Sequence, residues 1–471
     1  MRDIDQIYID GQFVTPHGRE IFDLYNPATE QKIGQVRLGD EIDARAAVAA
    51  AKRAFPAFSR TSKAERIAML RRLHGAVAAR AGTLAAAMTL EYGAPQYFVE
   101  FSAHRAGNVF LDMAQTLEEF DFTQTIGRAE VTLLPLGVVA AITPWNSNVG
   151  FICGKLATAI AAGCTIVIKP SEMSAIQTQT LTEALHEAAL PAGVFNIVNG
   201  RGDVVGAEFS AHPDVAKVSF TGSTATGRTI LRASAETMKR VTLELGGKGP
   251  NIILEDADLD TAIPTAVRMG LNNSGQACVA GTRILVPRSR MVEALPRLKA
   301  AVAAIKTGEA TDPAVMVGPM VSQKQYDRVQ GYIRLGLEEG AGLLIGGEGR
   351  PEGLSRGWFV RPTVFVGVSN DMRIAREEIF GPVLCVIAYE DEAEAIAIAN
   401  DTTYGLQAYV ASADPAHARR VAGQLESGRV VINGAPHEPL APFGGMKQSG
   451  IGREYGRFGL ETHLEARAVL V

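Results

Sequence analysis

One cysteine in this sequence lies where a thiol could react. Cys278 stands in NNSGQACVAG, residues 272–281, in a loop predicted to connect a helix to a strand. Cys153, Cys164 and Cys385 instead lie in apolar runs, which is typical of buried thiols that act as small hydrophobes. Loops carry functional residues more often than apolar elements do, so Cys278 is the candidate nucleophile. Its neighbours alone leave a nucleophile and a space-filling side chain equally open.

Two other side chains could assist a reaction at such a thiol. Glu244, in TLELGGKGP, ends an apolar strand run, and an apolar environment raises the pKa of a carboxyl towards that of a general base. Asn146, in ITPWNSN, follows a tryptophan in a sharp turn, and a side-chain amide can donate a hydrogen bond to a developing oxyanion. Ordinary alternatives stay open, because Glu244 could pair with Lys248 and Asn146 could simply form the turn.

Three further stretches could bind a ligand. Gly222 and Gly227, in SFTGSTATGR, mark a strand-to-helix turn, where backbone N–H groups can bind a pyrophosphate. Lys169 and Glu172, in IVIKPSE, follow a buried strand, and an acidic residue there can bind ribose hydroxyls and repel the 2′-phosphate of NADP. EEIFGPV, residues 377–383, could supply a second ribose contact and an aromatic wall. Each stretch could instead be an ordinary turn or the start of a helix or strand.

Alternating helices and strands must position these residues. From Val131 onward, buried strands such as CTIVIKP and VAKVSF alternate with helices such as GKLATAIAAG, which Gly163 ends. A second run of the same kind begins near Pro250. Short β-α-β connections predict parallel sheets with helices on both faces. The first hundred residues are predicted to be mostly helical, and Ser174 with Gln177 forms a capping-box pattern.

Composition excludes several classes of function. The 471 residues predict two or three domains. A net charge of −5 without a basic block argues against nucleic acid as a partner. No apolar run reaches the roughly 20 residues of a membrane span, and the histidines form no metal-binding pair. Four scattered cysteines and the absence of a signal sequence indicate a cytoplasmic protein.

Taken together, the motifs resemble those of the NAD(P)-dependent aldehyde dehydrogenase superfamily. The resemblance covers nearly the whole chain and rests on YIDGQFV, NPATE, PWN, KPSE, FTGS, ELGGK, GQACVAG, EEIFGPV and APFGGMKQSGIGRE in this order. It implies an α/β fold of two Rossmann-type domains and a small β oligomerisation arm. The implied divisions are an NAD-binding domain at 1-116 and 137-246, a catalytic domain at 247-436, and an arm with the C-terminal segment at 117-136 and 437-471.

The resemblance also implies a role for each candidate residue. Cys278 would add to an aldehyde, Asn146 and the Cys278 N–H would hold the oxyanion, and Glu244 would activate the hydrolytic water. Lys155 and Glu454 would relay the proton. The implied NAD contacts are Ile142, Trp145, Lys169, Glu172, Gly202, Gly222, Ser223, Leu245, Glu378 and Phe380. The expected activity is NAD-dependent oxidation of an aldehyde to a carboxylic acid, in a homodimer or homotetramer whose subunits meet through an exposed, alternating C-terminal strand.

Three rival functions and three departures from the family pattern remain. A CoA-acylating relative would typically lack the glutamate of ELGG, and an inactive homologue would not need Cys278, Glu244 and Asn146 intact. A Cys-His thiol hydrolase lacks a motif-linked histidine. Ala277 leaves the nucleophile without an adjacent thiol. Ser147 and Asn148, where many relatives have Phe-Pro, predict a more polar mouth for the substrate tunnel. Gly249, where Ser is common, has no interpretation.

Overall fold

The computed structural model describes residues 2–470, and its elements form two large sheets and two small ones. The strands are β1 (Arg2–Ile4), β2 (Ile7–Ile9), β3 (Gln12–Val14), β4 (Ile21–Tyr25), β5 (Lys32–Arg37), β6 (Thr123–Ile126), β7 (Ala129–Pro135), β8 (Val138–Ile142), β9 (Thr165–Lys169), β10 (Phe195–Ile197), β11 (Val215–Thr221), β12 (Arg240–Glu244), β13 (Pro250–Ile253), β14 (Arg283–Pro287), β15 (Gly342–Ile345), β16 (Thr363–Val366), β17 (Val383–Tyr389), β18 (Gln407–Ala411), β19 (Arg429–Ile432), β20 (Gly450–Ile451) and β21 (Leu464–Leu470). The α-helices are α1 (Glu41–Phe58), α2 (Lys63–Ala79), α3 (Ala81–Tyr92), α4 (Gln96–Glu119), α5 (Asn148–Ala162), α6 (Ala175–Glu187), α7 (Ala207–Ala211), α8 (Thr224–Ala235), α9 (Leu259–Leu271), α10 (Met291–Ala303), α11 (Gln323–Glu338), α12 (Arg373–Arg376), α13 (Glu392–Asn400), α14 (Pro415–Ala422) and α15 (Gly456–Glu461). Within residues 2–470, no helix combines the length and the apolar character needed to cross a membrane.

The first large sheet has eight strands in the order β20-β12-β11-β8-β9-β10-β2-β3. Its five central strands, from β12 to β10, are parallel, as the β-α-β pattern predicts. Val139 and Ala141 of β8 pack against helices α2 to α6, whereas Val138 and Ala140 pack against α1, α7 and α8. Both faces of this strand are therefore buried, which explains its continuous apolar sequence.

The second large sheet has seven strands in the order β15-β16-β17-β14-β13-β18-β19. Six of them are parallel, and only β15 at one edge runs antiparallel to its neighbour. Ile284 and Val286 of β14 face α9 and α10, while Leu285 faces α13 and α14. The second α/β run is therefore also a sheet with helices on both faces.

The C-terminal strand β21 belongs to a small antiparallel sheet of order β21-β7-β6. Leu464 of β21 pairs with Pro135 of β7, and the register continues to Leu470 opposite Ala129. After Leu464, every residue of β21 is exposed. From Glu465 onward the strand is therefore exposed on both faces, as an exposed C-terminal strand requires.

Two local expectations differ from the structure, one at the N-terminus of the chain and one at the start of α6. Helices do occupy most of residues 41–119, but residues 2–37 contribute the five short strands β1 to β5. The predicted capping box is also wrong, because the Ser174 side chain makes no capping hydrogen bond to α6. Gly163, in contrast, ends α5 as predicted, with a left-handed φ of 82°.

The N-terminus of α6 is capped by Glu91, a residue of α3. Its Oε1 accepts a hydrogen bond from the Ile176 N–H at 2.8 Å, and its Oε2 accepts from the Gln177 N–H at 3.1 Å and from Gln177 Nε2 at 3.2 Å. Glu91 is 2% exposed, and burial raises the pKa of its carboxyl to about 7. The cap lies 85 residues away in the chain, so no local sequence pattern indicates it.

Candidate active site

Candidate residues from four motifs lie at one edge of the first sheet. Ile142 is the last residue of β8, Lys169 ends β9 and Glu244 ends β12, while Gly222 directly follows β11. The strand registers pair Ile142 with Lys169 and Thr221 with Glu244, so the four strands end level with one another. The carboxyl edge of a parallel sheet is where α/β proteins bind ligands.

The second sheet meets this edge with the amino ends of its strands. The Cys278 loop precedes β14 and Glu378 precedes β17, and these two strands are neighbours. Between the sheets lies the turn 245–249, in which the Gly247 N–H donates to Glu378 Oε1 at 2.8 Å. A Cβ on Gly247 would lie 2.4 Å from the carbonyl oxygen of Cys278. The glycines of ELGG therefore let one turn lie against both loops.

The loop before Cys278 has an unusual backbone path. Asn273, Ser274 and Gly275 have φ angles of 53°, 60° and 71°, a run of left-handed residues that costs free energy outside glycine. A Cβ on Gly275 would lie 2.2 Å from the carbonyl oxygen of Gly381. The buried Gln276 side chain anchors the loop, since its Oε1 accepts from the Val321 N–H at 3.0 Å and its Nε2 donates to the Pro319 oxygen at 3.2 Å. Sequence reasoning missed this anchor.

Cys278 differs from the other cysteines in exposure. All four thiols are free, but Cys278 alone is partly exposed while Cys153, Cys164 and Cys385 are buried. Its desolvated surroundings, with the charges of Glu378 and Glu244, raise the pKa of the Cys278 thiol to about 12, against the opposing effect of the Cys278 and Val279 N–H groups. At neutral pH the sulfur is therefore protonated, and it becomes a nucleophile only when a base removes the proton.

Asn146 is held beside the nucleophile loop. Its Nδ2 donates to the carbonyl oxygen of Gln276 at 3.0 Å. A side-chain amide nitrogen carries two protons, so one remains for a second acceptor near Cys278. The preceding Trp145 packs edge-on against Phe380 at 5.5 Å between ring centroids, which joins this loop to the loop before β17.

Glu244 is a buried carboxyl without partners. It is 2% exposed, and neither oxygen accepts a hydrogen bond from any of residues 2–470. Burial and the charge of Glu454 raise its pKa well above the ordinary value, although Lys155 and Arg453 act in the opposite direction. Lys248, the alternative partner, is also buried with an unpaired Nζ, so the two do not form the ion pair that would make Glu244 structural.

Lys155 and Glu454 form a buried ion pair close to Glu244. Lys155 Nζ lies 2.5 Å from Glu454 Oε1 and donates to Ser219 Oγ at 2.9 Å. Both side chains line a cavity of about 10 Å³, which is large enough for about one water molecule. The structure thus brings the two predicted relay residues into contact, although 299 residues separate them in the chain.

The carboxyl edge also provides groups that suit a dinucleotide. Lys169 Nζ lies 3.1 Å from Glu172 Oε2, and because Lys169 is only 4% exposed this is not a solvated surface pair. Ser223 caps α8 by accepting from the Thr226 N–H at 3.2 Å, so the positive end of that helix faces the edge. Glu378 is half-buried between the two sheets, and desolvation raises its pKa to about 7.

The glycines of FTGSTATG have a packing role in addition to any ligand contact. A Cβ on Gly222 would lie 2.5 Å from the ring of Phe220, and one on Gly227 would lie 2.6 Å from Leu245 Cδ2. Both glycines therefore let α8 approach β11 and the turn that follows β12. Gly202, in contrast, begins a π-turn at Gly202–Gly206 with open space around it.

One prediction about the substrate tunnel is wrong. Asn148 is 0% exposed and does not line a tunnel. Its Oδ1 accepts from Thr143 Oγ1 at 2.8 Å and its Nδ2 donates to Thr178 Oγ1 at 2.8 Å. Both polar atoms of the side chain therefore have buried hydrogen-bond partners. Ser147, with a φ of 103°, forms the turn into α5 and is partly exposed.

A family model described as the aldehyde dehydrogenase family matches residues 13–469. The chain belongs to the aldehyde dehydrogenase family. A 3-succinoylsemialdehyde-pyridine dehydrogenase of a Pseudomonas species is 47% identical to it over 472 residues, with 100% of this chain and 99% of the relative covered. A putative aldehyde dehydrogenase of Staphylococcus haemolyticus is 44% identical, with the same coverage.

Solved aldehyde dehydrogenases have the same fold as this one. A cysteine-to-alanine mutant of aldehyde dehydrogenase C from Pseudomonas syringae, crystallised with NAD+ and octanal, superposes with a TM-score of 0.97 at 43% identity, covering 99% of this chain and 96% of that one. The aldehyde dehydrogenase of Mycobacterium tuberculosis complexed with NAD+ gives a TM-score of 0.97 at 40% identity, covering 100% and 98%. The predicted family and α/β fold class are confirmed.

Proposed function

We propose that this aldehyde dehydrogenase oxidises an aldehyde to a carboxylic acid with NAD as its cofactor, an activity of class EC 1.2.1.3. The observation that carries the proposal is one constellation where the two sheets meet. A single partly exposed cysteine, Cys278, lies there with the amide of Asn146 fixed on its loop and the unpaired carboxyl of Glu244 buried nearby. Burying a carboxyl without a partner costs free energy of folding, and such a carboxyl is more typical of an active site than of a structural position.

The edge of the first sheet suits NAD as the cofactor. The ion-paired Glu172 would accept hydrogen bonds from the adenosine ribose and repel a 2′-phosphate, which favours NAD over NADP. Glu378 would bind the second ribose, and relatives of this chain were crystallised with NAD+. The proposed contacts are Ile142, Trp145, Lys169, Glu172, Gly202, Gly222, Ser223, Leu245, Glu378 and Phe380. Bound NAD would accept the hydride that leaves the aldehyde carbon, which converts the adduct on Cys278 into a thioester.

Each step around the cofactor falls to a residue of this chain. Cys278 first loses its thiol proton to water, which acts as the base. The thiolate then adds to the aldehyde carbonyl, and the free Nδ2 proton of Asn146 together with the Cys278 N–H holds the resulting oxyanion. Glu244 then accepts a proton from the water that hydrolyses the thioester, for which its raised pKa makes it a stronger base. The contact of Glu454 with Lys155 would carry that proton onward from Glu244.

The alternatives are acyl transfer to CoA and a catalytically inactive binding protein. Neither is favoured by an observation. Glu244, the residue that hydrolysis needs, is present, unpaired and close to the ion pair of Lys155 with Glu454.

We further propose the domain division, the assembly and the location that the sequence suggests. The division into 1-116 with 137-246, 247-436, and 117-136 with 437-471 stays a proposal, and Met1 and Val471 lie outside the described residues. The exposed strand β21 would find its partner on another subunit of a homodimer or homotetramer. Four free thiols support a cytoplasmic location.

The proposal is tested by NADH formation over a panel of aliphatic, aromatic and carboxy-aldehydes. Turnover should require Cys278 and disappear in Cys278→Ala, while the control Cys153→Ala, which changes a buried thiol of α5, should keep it. Turnover that survives Cys278→Ala would remove the covalent mechanism. A strict requirement for CoA would replace hydrolysis with acyl transfer, and equal turnover with NADP would refute the role of Glu172.

A further inference from the structure

Arg429, the first residue of β19, is a half-buried arginine whose side chain has no partner. Its guanidinium makes no hydrogen bond or ion pair with any of residues 2–470, and burial lowers its pKa. Arg283 of β14, a fully buried arginine, donates to the carbonyls of Lys248, Ile398 and Ala399 and to the Asn370 side chain. Desolvated arginines are normally satisfied in this way, so Arg429 has unused donors.

A short path of contacts connects Arg429 to the nucleophile. In the β18–β19 register Arg429 lies opposite Gln407, and neighbouring strands are about 4.8 Å apart. Gln407 Nε2 donates to the Tyr409 hydroxyl, which donates to the carbonyl oxygen of Val279 at 2.8 Å. Val279 directly follows Cys278. The side chains of Gln407 and Tyr409 thus connect Arg429 to Val279, the residue next to Cys278.

The aromatic side chains of His437 and Tyr455 lie close to Arg429. The rings of His437 and Tyr455 are 6.0 Å apart. Burial and the positive charges of Arg429 and Arg105 lower the pKa of His437 to about 4, so His437 is neutral at neutral pH. Arg105 is already paired with Asp112 on its own helix, α4. Arg429 therefore has no ion-pair partner among residues 2–470, although the carboxyl of Glu438 lines the same cavity of about 210 Å³.

Helix α5 leaves space opposite these rings. A Cβ on Gly150 would meet no atom within 4 Å, and one on Gly154 would lie 3.8 Å from the Tyr455 ring. The two glycines are one turn apart and share a helix face. Gly150 lies in the first turn of α5, close in sequence to Asn146. Neither Gly150 nor Gly154 therefore places a side chain in the space between α5 and Tyr455.

We propose that Arg429 recognises an oxygen acceptor at the end of the substrate remote from the aldehyde. The substrate class would be aldehydes that also carry a carboxylate or a ketone, with the remainder of the molecule lying against Tyr455 and the glycine face of α5. A guanidinium donates to both kinds of oxygen and binds a carboxylate in bidentate geometry. This inference rests on the proposed function and specifies its substrate.

Three aldehydes of equal length test the recognition: an ω-oxo acid, the corresponding methyl ketone and the unsubstituted alkanal. The natural enzyme should favour the acid and the ketone in kcat/KM. Arg429→Met should lower kcat/KM for these two by about 10- to 100-fold, the usual effect of losing a hydrogen bond to a charged group, and leave the alkanal unchanged. Arg429→Lys should recover part of the loss for the acid. Arg334→Met, which changes an exposed arginine paired with Glu348, is the matched control.

The outcomes separate this inference from the proposed function. If the enzyme oxidises all three aldehydes without preferring the acid and the ketone, only the recognition by Arg429 is overturned. An equal loss of kcat/KM for all three substrates in Arg429→Met would also overturn it, because it would indicate a structural role for Arg429. An enzyme that oxidises no aldehyde overturns the proposed function. Size-exclusion elution and Tm must match the natural protein.

A second measurement does not depend on the variant folding. A monocarboxylate of substrate length should slow alkylation of Cys278 in the natural enzyme more than the neutral alcohol of equal length does. Equal protection by the two would contradict the proposal.

Discussion

Two glutamates with the same exposure occupy opposite situations in this aldehyde dehydrogenase. Glu91 and Glu244 are each 2% exposed. Glu91 accepts three hydrogen bonds at the N-terminus of α6, whereas both oxygens of Glu244 are unpartnered at the end of β12. The difference teaches that hydrogen bonding, and not burial, separates a structural carboxyl from one available for chemistry.

The largest effect expected from this comparison is on turnover. Glu244→Gln should lower kcat by about 100- to 10,000-fold, the usual contribution of a general base, with Tm unchanged or raised because an unpaired carboxyl is lost. Glu91→Gln should keep kcat in the folded enzyme. Steady-state kinetics with thermal melts checks both variants. A large loss of turnover in Glu91→Gln at unchanged Tm would break the comparison.

The reactivity of Cys278 should report the electrostatics around Glu244. Because the thiol has a pKa of about 12, its thiolate fraction, and hence its alkylation rate, should rise about tenfold per pH unit across the neutral range. Iodoacetamide labelling followed by mass spectrometry checks the rate and the site. Cys153, Cys164 and Cys385 should stay unlabelled in the folded protein. A plateau in the rate near pH 7 would mean that the thiolate is already stabilised without cofactor.

Glu91 should instead affect how stability depends on pH. Its pKa is about 7 in the folded protein and 4.5 when exposed, so its contribution is fully present below pH 4.5 and is lost as the pH rises through 7. Relative to Glu91→Gln, the natural enzyme should lose about 3 kcal/mol of unfolding free energy over this range. Urea unfolding at a series of pH values measures the difference. A pH-independent difference would mean that the three hydrogen bonds keep Glu91 ionised.

The smallest effect is expected at Ser174. Because Glu91 and not Ser174 caps α6, Ser174→Ala should change the free energy of unfolding by less than about 0.5 kcal/mol, whereas loss of a genuine N-cap typically costs about 1 kcal/mol. Ser322→Ala is the matched control, since its side chain does cap α11. Equal losses in the two variants would restore a capping role for Ser174.

The sequence predicts the position of the candidate site better than it predicts the contacts that support the site. The motifs brought Cys278, Asn146 and Glu244 together because each stands at the end of a predictable strand or helix, and parallel sheets gather such ends at one edge. The ion pair of Lys155 with Glu454 came only from family resemblance. Its partners are 299 residues apart, and no local pattern connects them.

The residues that sequence reasoning missed act through contacts that the chain makes only after folding. Glu91 caps a helix that begins far away in the chain, and Gln276 holds the nucleophile loop through the backbone of Pro319 and Val321. The assignment of Asn148 to the tunnel is wrong because the sequence PWNSN does not indicate which face of α5 is buried. The roles assigned to the site residues stay predictions until they are tested.

The isolation of Cys278 has a consequence for oxidative damage. Ala277 precedes it, and the other thiols are buried, so a sulfenic acid formed on Cys278 would find no resolving cysteine within the subunit. Protonation slows that oxidation, since the thiolate is the form that reacts with peroxide. Recovery after mild peroxide treatment should therefore require an external thiol, and prolonged treatment should inactivate the enzyme permanently at this one sulfur.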